Sequence, residues 1–135
     1  MADYDAAFSL WTKSAGISLC EDDTRDRIAF YLKRNPGLCF VAKSTGSLVG
    51  AVLCGHEGRR GILRHLAVEH QDRQNGIARA LVARCLESLR EQGIRKCNIF
   101  VLDTNVAGME FWEHMGWKRL ADDYRTLQMN TSNKA

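Results

Sequence analysis

Leu66-Ala67-Val68-Glu69-His70-Gln71-Asp72-Arg73-Gln74-Asn75-Gly76-Ile77-Ala78 is the stretch that organises this chain. An apolar strand stops at Val68, a short polar turn follows, and Gly76 stands where a helix of strong apolar periodicity begins and runs on to about Gly93. The first amides of a helix have no partner within it, and the aligned peptide dipoles place partial positive charge at that end. Such a junction suits an anion, a phosphate above all. Gly76 has no Cβ to keep a ligand off the main chain, Ala78 leaves the first turn open, and Arg73 sets a cationic fork at the mouth. On the residues alone there is a second reading, in which Gly76 only makes the turn and Arg73 is solvated. The stretch is neither G-x-x-x-x-G-K-[ST] nor a complete G-x-G-x-x-G.

Outward from this junction the elements follow in order. Residues 5 to 15 carry Ala7, Leu10, Trp11 and Ser14 on one helical stripe that Gly16 ends. A second helix is expected from a capping Asp23, with Ile28, Tyr31 and Leu32 on its buried face, and Asn35-Pro36-Gly37 stops it. Leu38 to Lys43 and Leu48 to Cys54 form a hairpin across Ser44-Thr45-Gly46-Ser47, and a Gly-bounded polar loop leads into a strand from Ile62 to Val68. The helix after Gly76 places Ile77, Leu81, Cys85 and Leu89 on a wide apolar face and Arg79, Arg84, Glu87 and Arg90 on the other. Lys96 to Leu102 has strand composition, Asn105 caps a helix to about Met115, and Trp117 to Leu120 with Tyr124 to Met129 make a closing hairpin. The tail from Asn130 is polar and is expected to be disordered.

A length of 135 residues suits one domain with a single core. The formal net charge of +3 is spread rather than clustered, which disfavours a nucleic-acid partner. No apolar run nears the ~20 residues that span a bilayer. With a polar, acidic start in place of a signal peptide, a cytoplasmic protein off the membrane is expected. Cys20, Cys39, Cys54, Cys85 and Cys97 form no C-x-x-C pair and are expected to be free thiols, with no metal bound.

Leu66-Ala67-Val68 followed by Arg73-x-x-Gly76-x-Ala78 resembles the [Q/R]-x-x-G-x-[G/A] segment of the GNAT (GCN5-related) N-acetyltransferases. Asn105, Phe111-Trp112 and Met115-Gly116-Trp117 resemble that family's closing segment, in the same order and at the same separation. The resemblance spans roughly residues 5 to 130 and implies an α/β (α+β) fold, a mixed and largely antiparallel sheet flanked by helices. Only Met1 to Tyr4 precede the first helix here, so the family's opening strand is either very short or missing. The resemblance also implies acetyl-coenzyme A (acetyl-CoA) as co-substrate, with Leu66, Ala67, Val68, Arg73, Gln74, Asn75, Gly76, Ile77, Ala78, Arg79, Asn105 and Trp112 around it. A main-chain amide near Leu66 would face the thioester carbonyl.

Acetyl transfer to an amine needs a neutral nucleophile, a stabilised oxyanion and a proton for the departing sulfur. Candidates for the base are Glu57 and His56 in the polar loop and His65 on the strand. Many family members carry Tyr where this chain has Trp112. An indole cannot serve as an acid, so Tyr124 or solvent takes that role. Arg59 and Arg60 lie beside the implied acceptor cleft and suit a carboxylate or phosphate on the acceptor. The expected activity is direct transfer of an acetyl group from acetyl-CoA to a primary amine in a ternary complex. The alternative is a non-catalytic acyl-CoA binding or sensing module, and exposed sheet edges would allow a homodimer.

Overall fold

The computed structural model describes residues 1–121 and 124–132. Along the chain run α1 (Tyr4–Thr12), α2 (Arg25–Arg34), β1 (Phe40–Ser44), β2 (Ser47–His56), β3 (Gly61–Val68), α3 (Ile77–Glu91), β4 (Cys97–Asn98) and α4 (Val106–His114). The sheet order is β1-β2-β3-β4, antiparallel except for the parallel pairing of β3 with β4. Among the described residues no strand precedes α1.

Alternation along β2 divides the core between the faces of the sheet. Val52 and Cys54 point to α3, where they meet Leu38, Leu63, Leu81, Cys85 and Leu89. Ala51 and Leu53 point to the other face and meet Ala7, Leu10, Trp11, Ile28 and Ala67 under α1 and α2. Burying a leucine such as Leu10, Leu38 or Leu89 this completely contributes roughly 1.5–3 kcal/mol. Gly61 lets α3 approach: a Cβ there would come within 2.5 Å of Leu89.

Several expectations need correction. The second helix is capped by Thr24, whose hydroxyl accepts from the Arg27 amide, because Asp23 is buried and bonded elsewhere. The strand expected over Lys96 to Leu102 shrinks to Cys97–Asn98. The closing hairpin is absent among the described residues, and Asp122 and Asp123, which would form its turn, lie outside them. A hairpin extends a sheet only along an edge with free ladder groups, and β4, at 2 residues, offers almost none. Where the tail was expected to begin, Asn130 Oδ1 accepts from the Ser132 amide at 2.9 Å. No described helix is long and apolar enough to cross a membrane.

Candidate active site

The site grows from a defect in β3. Ala51 pairs with Ala67 and Leu53 with Arg64, so Val52 alone faces both His65 and Leu66. This is a β-bulge, which bends the strand and takes backbone groups out of the ladder. His65 sits at it with φ +55°, left-handed and costly for a side chain with a Cβ. His65 Nε2 lies 2.8 Å from Asp23 Oδ1, and Asp23 Oδ2 accepts from the Cys20 amide at 2.9 Å. Tyr4 donates to the Asp23 carbonyl, and the His65 ring packs 5.2 Å from Trp11. The bulge is thereby held from the α1–α2 connection, and sequence reasoning missed Asp23 as its anchor.

Beside the bulge the sheet opens. β3 and β4 pair at Gly61 with Cys97 and Ile62 with Asn98, and then part although β3 runs on to Val68. Leu66, Ala67 and Val68 therefore lie along an edge that β4 does not pair.

At the end of β3, Arg73 Nε donates to the Val68 carbonyl at 3.3 Å. Gln74 (φ +68°) and Gly76 (φ +79°) turn left-handed on either side of Asn75 and deliver the chain into α3. Alternating backbone of this kind makes a concave nest of N–H groups. The amides of Gln74, Asn75, Gly76, Ile77, Ala78 and Arg79 meet no acceptor among the described residues, and the first internal bond of α3 runs from Ala80 to Gly76. No acidic residue stands in the first turn, and a Cβ on Gly76 would have nothing within 4 Å. These groups fit a phosphorylated ligand whose arm lies along the open edge of β3.

Asn105 caps α4, its Oδ1 accepting from Gly108 N at 3.0 Å, while its Nδ2 faces Gly16. Trp112 is half-buried between Phe111 and Trp117, at ring distances of 5.5 and 5.1 Å. Its indole packs rather than exchanging protons.

At the other end of β3 a cavity of about 470 Å³ is lined by Glu57, Arg59, Arg60, Arg64, Tyr31 and Phe100, among others. Glu57 is exposed and lies 3.7 Å from Arg59. Arg64, Tyr31 and Phe100 were not expected here. Arg64 interrupts apolar residues in a strand, a pattern that reads as an outward side chain, and only the placement of α2 reveals what it faces. The Tyr31 hydroxyl is buried without a hydrogen-bond partner among the described residues, and burial first, then the Cys39 and Cys54 thiols, pushes its pKa up. His56 is taken up structurally: its Nδ1 accepts from Gly58 N and its Nε2 faces Gln92 Oε1 at 2.9 Å. His65 is not among the lining residues of this cavity, nor is Tyr124, which is 75% exposed.

The profile described as the acetyltransferase (GNAT) family matches residues 4–117. The chain belongs to the GNAT acetyltransferase family. It is an acyltransferase. An acetyltransferase of Pectobacterium atrosepticum is 31% identical over 132 residues, covering 98% of this chain and 88% of that one. Among solved structures, an aminoglycoside 6'-N-acetyltransferase of Acinetobacter haemolyticus superposes with a TM-score of 0.77 at 15% identity, covering 96% of this acetyltransferase and 94% of that chain. A Thermoplasma acidophilum PaiA N-acetyltransferase, solved with coenzyme A, gives 0.76 at 18% identity, covering 90% and 87%. At such identities these structures bear on the fold alone.

Proposed function

We propose that this acetyltransferase moves the acetyl group of acetyl-CoA directly to a primary amine while both are bound. The observation that carries the reading is the parting of β3 from β4 beside the bare amides of α3. Acetyl-CoA, when bound, supplies the activated acyl group. Gly76, Ile77, Ala78 and Arg79 present amides to its phosphates, Arg73 and Arg79 add charge, and the free edge of Leu66, Ala67 and Val68 orients its arm. The bulge at His65 and Leu66 aims main-chain donors into the cleft, where an oxyanion is best stabilised by fixed dipoles. Glu57 lines the cavity and takes the ammonium proton through water. His65 acts as a positioning residue, since its Nε2 is held by Asp23. Trp112 has no acidic proton to give and Tyr124 is not among the cavity's lining residues, so solvent supplies the proton for sulfur.

The test is calorimetric titration of acetyl-CoA into the wild type and Gly76→Trp, followed by thiol release with an amine panel in the wild type and Glu57→Gln. Binding should vanish in folded Gly76→Trp, and kcat in Glu57→Gln should fall about 100-fold, within the range of general-base catalysis. Equal binding in both proteins sinks the cofactor site, an unchanged kcat removes Glu57 as the base, and binding without amine-dependent thiol release defeats the transfer reading.

A further inference from the structure

The cavity at the head of β3 has a charge pattern that amine acetylation alone does not require. Arg59 and Arg60 come from the β2–β3 loop and Arg64 from β3, and they converge on one space of about 470 Å³. Glu57 is the carboxylate among the lining residues, and its ion pair is with Arg59. Arg60 and Arg64 make no ion pair among the described residues. The Arg64 guanidinium lies 5.9 Å from the centre of the Phe100 ring. Phe100 lies two positions past Asn98 and Arg64 two past Ile62, the last residues through which β4 and β3 pair with each other. They flank the point where the strands part, where the acyl group would arrive. Tyr31 also lines this space, although its hydroxyl is buried beneath the wall rather than open to it.

A site meant for a bare or polycationic amine would be lined with carboxylates. Unpaired guanidinium forks instead match the planar oxygens of a carboxylate or phosphate. We infer that the acceptor is a small amine that also bears an oxyanion, held by Arg60 and Arg64 while Glu57 faces its amino group. This rests on the acetyl transfer proposed above and names the substrate class for it.

The experiment compares kcat/KM for acceptors of similar length: 3-aminopropanoate, 2-aminoethyl phosphate, propylamine and 1,3-diaminopropane. It is run on the wild type, Arg60→Gln, Arg64→Gln and the double variant, with retained acetyl-CoA binding as the sign of folding. The wild type should prefer an anionic amine by about tenfold or more over propylamine, the scale of a charged hydrogen bond. The carboxylate and phosphate arms tell which oxyanion is favoured. In the double variant the preference should collapse toward unity through KM. Equal or better use of propylamine or the diamine overturns the inference, as does an unaltered preference in the double variant. Separately, inorganic phosphate should shift the Arg60 and Arg64 side-chain Nε–H resonances, each assigned by its loss in the corresponding glutamine variant. If phosphate moves them yet no amine is acetylated, the anion site stands and the amine acceptor falls; unmoved resonances remove the site itself.

Discussion

His65 occupies a backbone conformation that costs a non-glycine residue about 1–2 kcal/mol, and its surroundings must return at least that much. The return comes through Asp23, whose carboxylate meets His65 on one oxygen and the Cys20 amide on the other. The side chains are 14% and 9% exposed, so little water is available to replace either bond. Asp23→Ala leaves both partners unsatisfied and should lower the unfolding free energy by roughly 2–4 kcal/mol, measured by urea denaturation. His65→Gly should cost less, because it relieves the strain while giving up the same bond. A loss below about 0.5 kcal/mol for Asp23→Ala, the size of an ordinary surface change, would mean that the pair does not hold the bulge.

Among the elements, α4 depends most on its cap, for none of its residues is buried. Asn105→Ala should cost about 1 kcal/mol, read from thermal unfolding, whereas Asn105→Asp should keep the cap and lose only the Nδ2 donor. If that donor serves acetyl-CoA, both variants weaken cofactor binding alike, and calorimetry separates cap from ligand contact. Helix caps, apolar stripes and hairpin turns are local, which is why Asn105, α3 and the hairpin of β1 with β2 were legible in the sequence. The turn from Arg73 to Ala78 was legible for the same reason, its left-handed glycine being needed on the spot. What escaped was set by distant partners. Ile99, Phe100 and Val101 have strand composition, yet β4 stops at Asn98 because β3 bends away from it. Arg64 was unreadable because the residues it meets, Phe100 and the wall of the cavity, are distant in the chain, and Asp23 looked like a cap because nothing local ties it to residue 65.

At the scale of the whole molecule, thiols meet in the core between the sheet and α3. Cys54 is fully buried and its pKa is pushed up to about 12, first by a hydrogen bond with the Cys85 thiol and then by burial, which outweigh an opposing bond from Cys97. Cys97 is raised by Cys54 and by burial, and Cys39 by burial. In the folded state these groups keep their protons past the value of 9.0 at which an ordinary thiol gives them up. Their contribution to stability is whole below about pH 9 and is progressively lost as the pH climbs above it, because the unfolded thiols release protons that the folded ones keep. Urea midpoints should therefore fall between pH 8 and pH 10.5, and a flat profile would contradict the buried thiol cluster. The opening between β3 and β4 bears on how this protein can be improved. Its cleft exists only where two neighbouring strands leave their ladder unfinished, so a substitution that zips them together past Asn98 makes a sturdier and emptier molecule. A screen that ranks variants by melting temperature alone would collect such sealed proteins, and heat resistance here has to be sought elsewhere, in the helices and the α3 face.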